Sequence, residues 1–586
     1  MSLRLARHRG QPAERRAGHR HERRGIADVV HRIAHGSRKR REKGQYRIGT
    51  KERTPRKSPR RIAILIRRPI AKSPFLPIVG RFFTKTPMAN DKTNLSKAKL
   101  TSRETDYNQW YLDVAGRAEL FEYSPTPGCI YFLPKAASLW ETVKAHVNVL
   151  IDRKGVRNLY MPALIPMSFF EREKEHVEGF APELAIVTHG GGKELEEKLA
   201  FRPTSETIFC DFFKGQLQSY RDLPLLYNQW ANVLRWEKRT RPFLRTAEFH
   251  WQEGHTLHET SEEAYAFAQG IMNDVYIKTF RELLAIEGIA GVKSESEKFA
   301  GAEKTFTYEP MMSNGWALQI CTSHVLGRGF MEQFDVKYLG RDGKIAYPAY
   351  TSWGMSTRSI GGLISSHSDD KGLVIPPRMS EYKAVILPVY GAGEKSEIDA
   401  YVRSIAETVV GKSVETPVKG EYFRALSGTG GKVLVDFRDA RFGEKITDFE
   451  LSGYPVAIAV GQKEIEAGLC TVISRVTGEK SQVPVAESAA TVAKFLEEGQ
   501  EELRRRSRER LEKNVVACAS MEEIGTALEA GKFALFEWNK NPAFEVEIKE
   551  RFKATTRCIP NKGQFTDDLL TVKNPDNVAV IVARAF

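Results

Sequence analysis

The chain has 586 residues, 41% of them hydrophobic and 28% charged, a composition ordinary for a soluble globular protein and a length that suggests three or four domains of roughly 100–200 residues. No apolar run approaches the roughly 20 residues of a membrane-spanning helix, and the longest candidate, Ile62–Ile66, is a fragment between arginines. The net charge of +15 is local: residues 1–87 hold 26 Lys+Arg against 5 Asp+Glu, a net of +21, while the rest holds 63 against 69, a net of −6. The body of the chain therefore gives no global basic signal for nucleic acid.

The six cysteines, Cys129, Cys210, Cys321, Cys470, Cys518 and Cys558, form no CxxC and no zinc-knuckle spacing. In a chain of this length they read as reduced, cytosolic thiols.

Residues 1–87, with stretches such as SRKRREKG and KERTPRKSPRR, lack apolar periodicity and over-use arginine, so they read as disordered. Three readings stay open: an RNA-binding arm, an organelle-targeting peptide, or upstream sequence attached by a misassigned start, with the protein beginning at Met88. Low serine content and no evident amphipathic helix favour the last.

Residues 88–377 read as one domain. Ala136–Arg153 has apolar residues at helical spacing, and NLYMPALIPM after it reads as a strand interrupted by Pro162. Thr260 opens a second helix, with Glu263 three residues on as in a capping box, and Ala264, Phe267, Ala268, Ile271, Val275 and Leu283 form its apolar stripe. FTYEPM, WALQICTSHVLG and VKYLG then read as strands. Strands and helices without regular βαβ alternation predict an α+β domain on an antiparallel sheet.

From residue 381 to 487 the rhythm becomes strand, helix, strand, strand: KAVILPVY, Glu397–Val409, KVLVDF and PVAIAVG. This predicts a small α/β domain with a largely parallel sheet. Residues 488–586 hold a charged helix, Thr491–Asn514, and a last small α/β domain. GTGGK at 428–432 and THGGGK at 188–193 do not fit a P-loop, and the first reads as a turn. The His255/His258 pair lacks helical i, i+4 spacing and a third ligand, so it does not read as a metal site.

Three segments of the large domain carry unusual chemistry: FRPTSE at 201–206, VLRWEKRTRPFLRTAEFHWQEGHT at 233–256, and SWGMSTRSIGG at 352–362. The second packs four arginines, three glutamates and two tryptophans into what otherwise alternates like a β-hairpin. Charges are expensive to bury unless paired. Any one segment alone is equally a surface hairpin or an arginine capping a helix.

Together and in this order, they resemble the class II aminoacyl-tRNA synthetases. Pro162 in NLYMPALIP looks like the motif 1 proline at a dimer interface. RWE at 235–237 with KRTRPFL and RTAEF looks like motif 2, and Arg358 looks like the motif 3 arginine. RPTSE, FLRTAEFHWQEGHT and ALQICTSHVLG narrow the resemblance to the prolyl-tRNA synthetases of archaeal/eukaryotic type, over about residues 102–586.

The resemblance implies attachment of proline to tRNA(Pro) through a prolyl-adenylate, with ATP as substrate, Mg²⁺ on its phosphates, and a homodimeric enzyme without a membrane partner. Attacker and target are both anionic, so catalysis means positioning and charge neutralisation, for which an arginine fork is suited. On this reading Arg235 bridges the substrate carboxylate and the α-phosphate, Arg358 lies on the γ-phosphate, and Arg245 is a further phosphate contact. Glu237 accepts from the adenine amino group with Thr246 beside it, and Gln319 and Thr322 contact ATP. Thr204 and Glu206 accept from the proline ammonium; Trp251, Phe299 and His324 wall its ring, and Glu253 anchors the wall. Lys238, Arg239 and Arg241 lie in the hairpin loop, facing the tRNA acceptor end or solvent.

An apolar pocket separates neighbours by only about 1–3 kcal/mol per methylene, so alanine and cysteine are expected to be mischarged at times. Only about 60 residues separate His258 from Gln319, too few for the editing insertion of bacterial-type relatives, and no editing in cis is expected. KVLVDFRDARFGEKITDFELSGYPVAIAVGQKEIEAG resembles the class IIa anticodon-binding domain, making Arg438, Arg441 and Lys445 candidates for anticodon contacts.

The end of the chain departs from the family. Asn539 and Phe544 stand where a first cysteine pair would fall, and the later region has no cysteine pair, so no structural zinc is expected. The family commonly ends in tyrosine; this chain ends in Phe586. The alternative reading is a non-catalytic paralogue acting as a tRNA-binding or regulatory module. Loss of the phosphate arginines would mark it, yet Arg235, Arg245 and Arg358 are all present.

Overall fold

The helix predicted near residue 136 runs Pro134–Asp152 in the computed structural model, started by a proline at its first turn. Proline is tolerated there because that N–H has no intrahelical partner. Leu139, Trp140, Val143, Val147, Leu150 and Ile151 are buried along one face, the stripe that packs this helix on the main core. The structure describes residues 100–172, 184–391, 395–563 and 569–586, all in one compact unit; the readings of residues 1–87 lie outside them.

The second helix is capped by Thr260, whose hydroxyl accepts from the Glu263 N–H at 3.1 Å. Its α-helical part is Ser261–Ile271, and the chain continues in π-helical turns, Met272–Ile277 and Thr279–Leu283. The wider turns keep Val275, Tyr276 and Phe280 in the core.

The main sheet has eleven strands. Its antiparallel centre runs Gly288–Val292, Lys304–Pro310, Cys321–Gly327, Ala349–Ser356, Glu248–His258 and Leu225–Leu234 in order, and Arg157–Asn158 joins parallel at one edge. This is the predicted α+β class. At Gly254, a Cβ would come within 2.1 Å of the Trp353 ring on the neighbouring strand, so only glycine lets that indole cross the sheet there.

NLYMPALIPM is strand only at its ends, Arg157–Asn158 and Leu164–Pro166. Between them the Arg202 guanidinium donates to the Met161 carbonyl at 2.8 Å and the Pro162 carbonyl at 3.3 Å, satisfying backbone that a ladder would otherwise pair. WALQIC is likewise strand only from Cys321.

Residues 384–484 form a seven-stranded sheet that is mixed rather than largely parallel. Only Ala384–Pro388 pairs in parallel, with Gly431–Asp436 on one side and Val456–Val460 on the other. The outer pairings are antiparallel. The alternating strand–helix rhythm reported the crossovers around this centre; the flanking hairpins follow short turns such as GTGGK, which joins Phe423–Gly428 to Gly431–Asp436.

The C-terminal residues do not form a separate sheet. After the long helix Ser488–Asn514, the strands Val515–Cys518, Phe533–Trp538, Val578–Ala583 and Thr555–Pro560 continue the main sheet, joined through Ile559↔Val292 and Pro560↔Gly291. At this seam Glu309 is fully buried between Lys293 (2.7 Å) and Arg557 (2.9 Å). Burial alone would raise the Glu309 carboxyl, but Arg557 and Lys293 hold it below the usual carboxylate range.

Phe544 stacks on Phe536 with ring centroids 5.2 Å apart, the Asn539 side chain accepts from the Asn541 N–H, and Cys558 is buried with its thiol pushed up to about 12 by burial. All six cysteines are free and buried. Among the described residues no helix is long and apolar enough to cross a membrane, and no group of three His, Cys, Asp or Glu is arranged to hold a metal ion.

Candidate active site

A cleft of about 910 Å³, its open mouth included, lies on the antiparallel sheet and is floored by the Glu248–His258, Cys321–Gly327 and Ala349–Ser356 strands. Thr204, Glu206, Arg235, Trp251, Glu253, Phe299, Gln319, Thr322, His324 and Arg358 all line it. Glu237, Arg245 and Thr246 do not line it but sit on the hairpin that forms its edge.

Period-2 geometry explains one wall. Phe249, Trp251, Glu253 and His255 alternate on a single strand and so share one face. Phe249 is not singled out from sequence and His255 is weighed there only as half of a metal pair, although the same alternation through Trp251 and Glu253 points to both. Glu297 also lines the cleft but comes from a loop, where no periodicity marks it.

Glu253 is a buried carboxylate with its acceptors filled. Oε1 takes hydrogen bonds from Ser205 Oγ (2.6 Å) and Gln229 Nε2 (2.5 Å), while Oε2 lies 3.1 Å from His255 Nε2. The Tyr350 hydroxyl stands 2.6 Å from His255 Nδ1. A phenol donating to Nδ1 leaves the proton on Nε2, directed at Glu253. Glu253 is thus anchored by its own protein.

Thr204 Oγ1 donates to Glu206 Oε2 at 2.5 Å, and Glu206 opens the Glu206–Gln216 helix, where a carboxylate suits the positive helix end. Opposite, the Phe299 ring packs 4.6 Å from the His324 imidazole. Thr305 and Thr322 hydroxyls hold the two His324 nitrogens at 2.9 and 3.0 Å. Burial pushes the His324 imidazole down to about 4, so this wall is neutral at physiological pH.

The arginines occupy the other half. Arg358 is the first residue of the Arg358–His367 helix and spends Nε on the Leu244 carbonyl (2.9 Å) and Nη1 on the Gln319 carbonyl (3.1 Å). Burial pushes it down to about 10, with Arg245 and Arg235 pushing the same way. An anion entering among these cations would relieve that repulsion. Arg235 lies over the Trp251 ring at 5.6 Å and donates to the Pro203 carbonyl at 3.1 Å. Arg245 stands 3.8 Å from Glu237, and Thr246 Oγ1 donates to the Glu248 carbonyl at 2.7 Å.

The three candidate anticodon residues divide. Lys445 is fully buried, with its ammonium on the Pro388 and Asp436 carbonyls at 2.8 Å each, so it holds the fold rather than facing a nucleic acid. Arg438 is paired to Asp436 and Asp448, both at 2.7 Å. Arg441, at the start of the Phe442–Ser452 helix, is exposed.

An antiparallel sheet bearing one arginine on a hairpin and one at a helix start, both lining one cleft, is the architecture of a class II aminoacyl-tRNA synthetase core. The family profile "tRNA synthetase class II core domain (G, H, P, S and T)" matches residues 187–367. Two further profiles, "Anticodon binding domain" and "Prolyl-tRNA synthetase, C-terminal", match residues 384–495 and 521–586. A proline–tRNA ligase of Lachnoclostridium phytofermentans is 44% identical over 475 residues, 81% of this chain and 94% of that protein. One of Chloroherpeton thalassium is 42% identical over 498 residues, 83% of this chain and 99% of that protein. A crystal structure of prolyl-tRNA synthetase from Cryptosporidium parvum, complexed with halofuginone and AMPPNP, superposes with a TM-score of 0.76 at 32% identity, covering 83% of this chain and 99% of that one. The chain belongs to the proline–tRNA ligase family.

Proposed function

We propose that the cleft joins L-proline to ATP and that the enzyme then charges tRNA(Pro). A carboxylate oxygen of proline attacks the α-phosphorus, the bond to the β-phosphate breaks, and pyrophosphate leaves. The 3′-terminal ribose hydroxyl of the tRNA next attacks the prolyl carbonyl carbon, and AMP departs. The observation that carries this reading is the meeting of Arg235 and Arg358 with Glu206 and Glu253 in one cleft: cations for carboxylate and phosphate, carboxylates for a secondary ammonium.

In this reading Arg235 holds the proline carboxylate against the α-phosphate, and Arg358 and Arg245 neutralise the outer phosphates. Glu237 and Thr246 lie on the adenine side, with Gln319 and Thr322 along the nucleotide. Thr204 and Glu206 accept from the ammonium; Trp251, Phe299 and His324 enclose the ring. Mg²⁺ is expected on the ATP phosphates, whose hard oxygens suit it. The arginine-lined half of the cleft fits a metal held mainly by phosphate and water.

A cytoplasmic homodimer, built on the motif 1 side, is part of the same proposal. Exposed Tyr160 (79%), within that segment, is a large apolar surface for a second copy to cover. Sedimentation of the purified chain checks it. Kinship with the archaeal/eukaryotic type rests on the RPTSE and FLRTAEFHWQEGHT segments and on the short span from His258 to Gln319, which helix and two strands occupy. The division at about residues 377, 381 and 487 is retained as the working domain boundaries.

Proline-dependent exchange of pyrophosphate into ATP tests the activity. Exchange with threonine, histidine or glycine, and none with proline, would reassign the substrate.

A further inference from the structure

The loop from Ser294 to Phe299 connects the Gly288–Val292 strand towards Lys304–Pro310 and brings Glu297 and Phe299 to the cleft. Its inner side is tied to the pocket: the Phe299 N–H donates to Thr305 Oγ1 at 3.1 Å, and the same hydroxyl holds His324. Its outer side is tied elsewhere. Glu545, on the Pro542–Phe552 helix of the C-terminal region, accepts from Ser294 Oγ at 2.6 Å and from Ser296 Oγ at 2.7 Å. A third donor, Thr556 Oγ1 at 2.5 Å, holds the Glu545 carboxylate from the Thr555–Pro560 strand.

That strand pairs with Val292 at the point where the loop begins. Lys293, the intervening residue, is locked to Glu309, which Arg557 also grips. The loop thus starts from an immobilised residue and is clasped by one remote carboxylate, while its far end presents an aromatic wall. Hydrogen bonds to an ionised group are about twice as strong as neutral ones. Among the described residues no ion pair joins residues 294–299 to another element, and the Lys298–Glu295 pair is internal to the loop.

We infer that Glu545 is a positioning residue for amino-acid selection: it clasps the Ser294–Phe299 loop from outside, sets the depth at which Phe299 closes the pocket, and so makes the C-terminal region a determinant of proline affinity and of rejection of smaller amino acids. The inference rests on reading the cleft as the proline pocket. Glu545 touches no reactant. Its effect passes through two serine hydroxyls to the loop backbone, so it should alter amino-acid binding and leave the ATP side alone.

Pyrophosphate exchange with the full-length chain decides this, using wild type, Glu545→Ala, Glu545→Gln and Ser296→Ala. Glu545→Ala is expected to raise KM for proline about tenfold, the scale of one lost charge-assisted hydrogen bond. It should leave KM for ATP within about twofold and lower the proline-to-alanine ratio of kcat/KM. Glu545→Gln keeps an acceptor and should recover most of the loss, because serine hydroxyls can also accept from its amide. Should Glu545→Ala not fold, exposed Ser296 decides through a rise of about two- to threefold, one neutral hydrogen bond's worth. Wild-type KM for proline in a folded Glu545→Ala, or in Ser296→Ala where that is the deciding variant, overturns the inference, as does a parallel rise in KM for ATP. Absence of proline exchange in the wild type would instead overturn the reading of the cleft itself.

Discussion

Arg557 grips Glu309 with two N–H donors, Nη2 at 2.9 Å and Nε at 3.1 Å, across the Gly288–Val292 strand that separates their own strands. Lys293 closes the cluster from the intervening segment. The C-terminal region is therefore locked to the catalytic sheet by buried charge as well as by strand pairing. A buried carboxylate with one cation removed is left undercompensated, so Arg557→Met is expected to destabilise by about 3–5 kcal/mol. Denaturant unfolding measures this; a change under about 1 kcal/mol would show the pair to be dispensable.

Glu253 accepts three hydrogen bonds, all from donors with their own fixed partners. In Glu253→Gln an amide N–H₂ must face at least one of them. Leaving a buried donor unsatisfied costs about 1–3 kcal/mol, so kcat/KM for proline is expected to fall about 10- to 100-fold. Steady-state exchange at saturating ATP reads it, and wild-type efficiency would remove Glu253 from the anchoring role.

Arg358 holds two carbonyls on different segments while lining the cleft. A lysine has one ammonium and no planar fork. Arg358→Lys is expected to lower the exchange rate about 100-fold, the scale of losing one preorganised donor, together with a modest fall in stability of about 1 kcal/mol for the carbonyl bond the ammonium cannot keep. An active Arg358→Lys would move the phosphate contact elsewhere.

Among the described residues burial depresses five imidazoles, most strongly His324 and His258, to about 4, and His367, to about 3; His146 and His250 are lowered in the same direction. The unfolded chain protonates them near pH 6.5. Their neutral folded forms therefore contribute stability that is whole above about pH 6.5 and is lost as pH falls towards the folded values, by about 1.4 kcal/mol per unit for each of His258, His324 and His367. Melting temperature should drop between pH 7 and pH 5, and His367→Gln should flatten that slope. An unchanged slope in this variant would place the acid sensitivity elsewhere.

The anticodon candidates separate by burial. Arg441→Ala should weaken tRNA charging about two- to fivefold while leaving proline-dependent exchange intact, as for loss of one exposed cation to phosphate. Lys445→Met removes a donor from two buried carbonyls and should lower stability instead, by about 1–3 kcal/mol. Selective loss of tRNA charging in a stable Lys445→Met would reverse this division.

Much of the site was legible because its signals are local. The charges of Arg235, Glu237, Arg245 and Glu253 stand out on a segment that alternates like strand, and one strand's alternation places Trp251 and Glu253 on a single face. Periodicity likewise located the Pro134–Asp152 helix to within two residues. Legibility failed where partners are distant. The rhythm around Ala384–Pro388 reports crossovers and is silent on the antiparallel hairpins outside them. Lys445 looked like its exposed neighbours, since a lysine's burial depends on which carbonyls the fold brings to it.

The amino-acid sequence by itself determined the residue types that meet in the cleft, arginines, carboxylate and hydroxyl acceptors and aromatic rings, and the helices and strands whose periods are written within a few turns of chain. Tertiary structure alone decided that the last strands extend the catalytic sheet, that Arg557 and Lys293 share Glu309, and that Glu545 clasps a loop some 250 residues away in sequence. The physical reason is range. Periodicity, capping and charge act over a few residues and leave a mark there, whereas strand pairing and buried ion pairs join positions whose separation no local pattern records.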